Sequence, residues 1–234
     1  MDIESLLKQG MEPKKLRKRP SGRTKWLSYV WPIKVKTVES SVSGELEVTA
    51  WRGKYILDTG KVNYSFGELH KIMDTTLRWL SKEGCKFQKV LMLGYGGGSA
   101  AEIIHQEYER DAEIIGIDLD GAILELAKDF FYHQGVRLMK ENAENYIHRA
   151  SKNGWVYDLV LVDLFVDAEV PSFVWEERNL AIWRSLIETG GWLAINTMMG
   201  KNDASPYIEA LKTKFSRVET ITKHRGNCVI LCRC

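Results

Sequence analysis

Four places in this chain, each just past a short apolar run, hold the residues that could do chemistry. Residues 90–93 (VLML) are followed by Gly94, Tyr95, Gly96, Gly97 and Gly98, a turn almost bare of side chains where backbone can lie against a ligand. A second run, 113–117, ends in Asp118, twenty positions after Gly98. Strand, glycine-rich turn, helix, strand and acid form the order of a nucleotide-binding βαβ unit, whose acid accepts both hydroxyls of a ribose. The dinucleotide fingerprint asks for glycine at its first, third and sixth positions. Its sixth position here is Ser99, so a nucleoside without a pyrophosphate fits at least as well. Asn142 follows a third run and Asp163 a fourth.

Open α/β sheets bind ligands beyond the carboxyl ends of their strands, near the switch in strand order. A ribose diol calls for a carboxylate, which Asp118 supplies, and an adenine amino group calls for an acceptor such as the Asn142 side-chain carbonyl. Asp163 then falls where the reactive end of the ligand belongs, able to attract a cation or take a proton. A helix cap or loop carboxylate is the other reading of Asp163.

The elements needed to position these residues are legible around them. The run 90–93 is too short for a helix and is bounded by glycine, as in a strand buried on both faces of a parallel sheet. Ser99 and Glu102 have capping-box spacing for the helix that follows. Further helices are expected over about 121–132, from Asn142 to Arg149, from Trp175 to Glu188 (closed by Gly190 and Gly191) and over about 204–215. Strands are expected at 136–139, 157–162, 192–196, 218–222 and 228–232, with Gly226 marking a final hairpin. Before them, alternating runs between 31 and 64 give a small antiparallel hairpin or meander, with a turn at Arg52-Gly53-Lys54. An amphipathic helix is then expected over 66–82. The resulting division is 1–66 for a basic N-terminal segment plus β-hairpin domain, and 67–234 for a Rossmann-like nucleoside-binding domain.

Composition narrows the classes. The chain has 234 residues, 44% of them apolar and eight of them tryptophan, ample for a packed core. A net charge of +2 does not argue for nucleic acid, and the basic cluster over 14–25 reads as a solvated segment. Four cysteines, mostly near the end, suit reduced thiols; Cys232 and Cys234 lack a second ligand pair for zinc, and the five histidines show no metal spacing, so no metal is expected. No apolar run approaches the ~20 residues of a membrane span, and a cytoplasmic protein without membrane contact is expected.

With these positions placed, the chain resembles the spermidine synthase family, within the class I methyltransferase-like group, from about residue 41 to 200. VLMLGYGGGSAAE is similar to the family's VLIIGGGDGG turn. IDLDGAILELAKDFF is similar to its EIDxxVIxxxKxxF segment, which puts Asp118 on the ribose-binding acid. YDLVLVDLFVD is similar to its FDVIIxDSSDP strand, which puts Asp163 on the catalytic aspartate. The resemblance implies a Rossmann-like seven-stranded sheet with a small N-terminal antiparallel β appendage, and a homodimer. It also implies a cofactor contact set of Gly94, Tyr95, Gly96, Gly97, Gly98, Asp118, Leu119, Asn142 and Ala143, with Tyr64, Glu68 and Asp167 on the substrate side.

Departures from the family pattern cluster on the amine side. Gly97 stands where the family has an amine-holding aspartate, Phe66 and Gly67 replace a tyrosine and a polar residue, and Asp167 is displaced by one from the second acid of DSSDP. Removing partners from buried ammonium groups costs several kcal/mol each. The expectation is therefore an S-adenosylmethionine-dependent methyltransferase acting on a small acceptor. The alternatives are a polyamine aminopropyltransferase using decarboxylated S-adenosylmethionine, and a nucleoside-binding module without catalysis.

Overall fold

A computed structural model describes residues 18–59, 62–63, 68–165, 169–197, 204–222 and 228–234. A short helix, α1 (Gly22–Leu27), leads into strands β1 (Ile33–Ser40), β2 (Gly44–Trp51), β3 (Lys54–Thr59) and β4 (Val62–Asn63), an antiparallel sheet in that order. Arg52 and Gly53, at φ 48° and 74°, make the tight β2–β3 turn whose twist suits a hairpin. Leu46, Val48 and Leu57 have no solvent exposure, so this small sheet takes its core from the rest of the chain.

The remaining strands form one seven-stranded sheet in the order β10-β11-β9-β8-β5-β6-β7. They are β5 (Lys89–Leu93), β6 (Glu113–Asp118), β7 (Val136–Lys140), β8 (Tyr157–Val162), β9 (Ile187–Thr197), β10 (Arg217–Thr222) and β11 (Cys228–Arg233). β7, β6, β5, β8 and β9 run parallel, and β11 turns antiparallel against β9 and β10. Because strand order reverses on either side of β5, a crevice opens at the carboxyl ends of β5 and β8.

Alternate residues of the central strands feed two cores. Val90, Met92, Leu159 and Leu161 pack beneath helices α2 (Glu68–Lys82) and α3 (Ser99–Ile103). Leu91, Leu93, Val160 and Val162 join Tyr146 and Ile147 of α5 (Ala143–Lys152), Trp183 of α6 (Glu177–Ser185) and Leu211 of α7 (Ser205–Lys212). Burial on both faces explains why these strands read as unbroken apolar runs. Helix α4 (Gly121–Phe130) carries Ile123 and Leu126 into the small sheet, making a third cluster with Leu46, Val48, Leu57 and Phe131. Among the described residues no helix is long and apolar enough to cross a membrane.

Three local expectations are corrected. Ser99 caps nothing: Gly98, in the left-handed region at φ 68°, is the residue before α3, and no side chain caps that helix. Its continuation widens to a π-helical turn over Ile104–Tyr108. The segment expected as one helix from Trp175 to Glu188 is a 3₁₀ turn (Ser172–Trp175) and then α6, and β9 begins at Ile187. Gly190 and Gly191 lie inside that strand, where pairing skips from Tyr157–Ile187 to Leu159–Trp192. A bulge of this kind reads in sequence as a helix stop, because both use glycine. Gly226 lies outside the described residues.

Candidate functional site

The turn after β5 is held by the acid after β6. Asp118 Oδ2 accepts hydrogen bonds from the backbone N–H groups of Tyr95 (3.1 Å) and Gly96 (3.2 Å). Its Oδ1 accepts one from Asp120 N–H at 3.0 Å. Burial raises the Asp118 pKa above the ordinary carboxylate value, and the three N–H donors oppose that rise without cancelling it. A carboxylate has about four lone-pair sites, so three of them already organise the turn. Asp118 thus builds the pocket as well as facing it, which the ribose reading alone did not foresee.

Backbone crowding fixes two of the glycines. A Cβ on Gly94, at φ 82°, would lie 2.1 Å from the carbonyl oxygen of Asp163, so the chain leaving β8 rests directly on the β5 turn. A Cβ on Gly98, at φ 68°, would lie 2.4 Å from the Tyr95 hydroxyl and 2.5 Å from the Tyr132 carbonyl oxygen. Gly97 is buried within the same turn. Gly96 differs: nothing lies within 4 Å of its Cβ position, and that side of the turn is open for a ligand.

Tyr95 was expected among the cofactor contacts, but its side chain is 3% exposed and turned into the core, donating to the Tyr132 carbonyl oxygen at 2.7 Å. Behind it, Tyr132 Oη and His105 Nδ1 are 2.9 Å apart, and His105 Nε2 lies 2.9 Å from the Ala112 carbonyl oxygen. Burial pushes the Tyr132 hydroxyl up to about 12, so that hydroxyl stays neutral. It backs the glycine turn with a fixed wall. Two tyrosines and a histidine at unrelated spacings carry no sign of this wall in sequence.

At the outer edge, Leu119 exposes 51% of its surface beside Asp118, an apolar contact facing outward. Asn142 caps α5: its Oδ1 accepts from Asn145 N–H at 3.1 Å, while Ala143 is buried in the first turn. The Asn142 carbonyl oxygen, expected to serve an adenine amino group, is thus engaged by its own helix, and its free function is the Nδ2 donor. Asp120 caps α4 through Ala122 N–H (2.9 Å) and accepts from Ser40 Oγ (2.6 Å), tying the small sheet to the crevice rim.

Asp163 occupies the other side. Its N–H bonds Leu93 O at 2.8 Å, which locks the end of β8 to the end of β5. Its Oδ1 accepts a hydrogen bond from Asn196 Nδ2 at 2.8 Å. The residue remains partly exposed, yet protein packed around the carboxyl pushes its pKa up to about 6; Asn196 opposes the rise and the charge of Asp118 adds to it. An acid poised there can release and take up a proton near neutral pH. Asn196 was not singled out from sequence, although a polar residue closing an apolar strand is the same signal that marked Asp163. The expected substrate residues Tyr64 and Asp167 lie outside the described residues; Glu68 opens α2, and its side chain is also outside them. Among the described residues no group of three or more acids, histidines or cysteines could hold a metal ion.

No family model matches this chain. A polyamine aminopropyltransferase from Vibrio vulnificus is 29% identical over 115 residues, 48% of this chain. The chain spans only 38% of that relative's length. A probable spermidine synthase from Corynebacterium glutamicum superimposes with a TM-score of 0.72 at 16% identity, over 85% of this chain and 80% of that one. Human methyltransferase-like protein 13, solved with SAH, gives 0.62 at 20% identity, over 72% and 82%. The fold is that of the class I methyltransferase group, and the resemblance is to its spermidine synthase-like branch.

These findings correct one expectation. A methyltransferase was expected from the polar residues missing on the amine side, but the relative found by sequence is a polyamine aminopropyltransferase, which favours the alternative. A polar residue missing from one motif position does not show that a charge goes unmet, because residues outside the motif also set the local electrostatics.

Proposed function

We propose that the crevice transfers an aminopropyl group from decarboxylated S-adenosylmethionine to a small amine. The observation that carries this reading is Asp163, a carboxyl pushed up to about 6 at the carboxyl end of β8, opposite an open glycine turn. Similarity to a polyamine aminopropyltransferase supports it.

The chain's own residues suit such a ligand. Asp118 keeps one lone-pair site for a ribose hydroxyl, Gly96 leaves open space beside the turn, and Leu119 offers an apolar face to a base. The Asn142 Nδ2 donor and the N–H of Ala143, in the first turn of α5 where backbone donors have no helical partner, suit the ring nitrogens of a purine. The sulfonium supplies an activated carbon whose leaving group is a neutral thioether. An amine attacks only as its free base, and an alkylammonium is protonated at neutral pH. The Asp163 carboxylate attracts that cation and accepts its proton. The new N–C bond then forms as the C–S bond breaks, and the proton passes on to solvent. Walls formed by Leu164 and the turn hold the two reactants together, the larger share of the acceleration in such a displacement.

Product analysis tests this. Incubated with decarboxylated S-adenosylmethionine and 1,4-diaminobutane, the protein is expected to yield the aminopropylated amine and methylthioadenosine, both seen by mass spectrometry. Absence of both products across a series of diamines and monoamines would refute it.

A further inference from the structure

We infer that Asn196 is the positioning residue for Asp163: its amide fixes the carboxylate through Oδ1, keeps it ionised at working pH and leaves Oδ2 for the acceptor amine. This rests on Asp163 acting as the proton acceptor. The parallel register pairs Val162 with Ile195, so Asp163, just past β8, lies beside Asn196, the next-to-last residue of β9, at the carboxyl edge. Asn196 is 1% exposed and donates from Nδ2 to Asp163 Oδ1 at 2.8 Å.

The rest of the Asn196 amide shows what the residue is for. Its Oδ1 is buried with no hydrogen-bond partner among the described residues. An unpaired buried carbonyl is a cost to folding, and an apolar side chain of similar size would carry none. The return must come through Nδ2, whose one partner among the described residues is Asp163. Three influences bear on that carboxyl: burial and the Asp118 charge across the crevice favour the protonated form, and the Asn196 donor favours the ionised form. Among the described residues no cation helps, so the amide alone stands between Asp163 and a still higher pKa. Oδ2 makes no hydrogen bond to any described residue and is the oxygen left for a substrate N–H.

The test is a carbon-13 carboxyl titration of the full chain, with Asp163→Asn identifying the Asp163 signal. In the unaltered protein that signal is expected to titrate near 6. In Asn196→Leu the midpoint is expected to rise by about one pH unit, the size of one lost hydrogen bond to a charged group. In Asn196→Asp, similar in shape and able to fold where leucine fails, the upper midpoint is expected to rise further, because two touching carboxyls share one proton. The acid limb of the transfer rate should move by the same amounts, which a purely structural role would not produce. An unmoved midpoint in both folded variants overturns the inference. A protein that transfers no aminopropyl group, yet shows these shifts, would overturn the function while leaving the Asn196–Asp163 coupling established.

Discussion

The two halves of the crevice each end in a half-buried carboxylate with a raised pKa, yet they are built differently. Over β5, β6 and β7, Asp118 accepts three backbone N–H bonds and is part of the scaffold. Over β8 and β9, Asp163 accepts one side-chain donor and keeps an oxygen without a described partner. Burial alone therefore does not distinguish a structural acid from a reactive one; the number and kind of donors do. The β5–β7 half is a backbone device with little freedom to change. The β8–β9 half is made of side chains that can vary while the fold persists.

Substitutions should divide along that line. The largest expected effect is that of Asp163→Asn on the aminopropyl transfer rate, a loss of about 10²–10⁴-fold. The same change should leave the fold intact and stabilise it. The Asp163 pKa is raised from 3.8 to about 6 in the folded protein, so the folded state binds more protons between those values. The Asp163 contribution to stability is then greatest below about pH 4 and is lost as pH rises through 6. Relief of that penalty is worth on the order of 1–3 kcal/mol above pH 7 by thermal or urea melting. A destabilised Asp163→Asn would show that the carboxylate is structural.

Asp118→Ala should do the reverse, lowering stability by about 1–3 kcal/mol through the orphaned N–H groups of Gly96 and Asp120, while Tyr95 N–H keeps its bond to the Ile117 carbonyl oxygen. Ligand binding should be lost along with the turn. A stable Asp118→Ala that merely binds more weakly would make Asp118 a ligand contact and little else.

Within the turn, the contrast between Gly98 and Gly96 gives the smallest and finest test. Gly98→Ala drives a methyl into the Tyr95 hydroxyl and the Tyr132 carbonyl, and should cost roughly 2 kcal/mol or more in stability. Gly96→Ala meets no atom and pays only the strain of φ 54°, about 1 kcal/mol. Its larger effect should appear in nucleoside affinity by calorimetry, since the methyl occupies the open side. Equal stability losses at both sites would remove the distinction between the wall and the ligand face.

What the sequence made legible follows from how local each signal is. Central strands buried on both faces show as apolar runs, and a turn carrying its strand's ligand groups shows as glycine, so Asp118 and Asp163 could be placed before any coordinates. The helix cap at Asn142 was also local, but its consequence, a carbonyl oxygen already engaged, depends on geometry. The Tyr95–Tyr132–His105 wall joins residues up to 37 apart and has no period to betray it. Asn196 acts on Asp163 across a strand pairing, which a single sequence does not display. The glycine pair at 190–191 misled because bulges and helix ends use the same residue.

One measurement bears directly on the β8–β9 half. Calorimetric titration with decarboxylated S-adenosylmethionine and with its carboxylated form, side by side, isolates the single carboxylate by which they differ. That carboxylate would lie on the side where Asp163 already brings negative charge. Tighter binding of the decarboxylated form, with the preference weakened in Asp163→Asn, is the predicted result. Tighter binding of the carboxylated form would contradict the account.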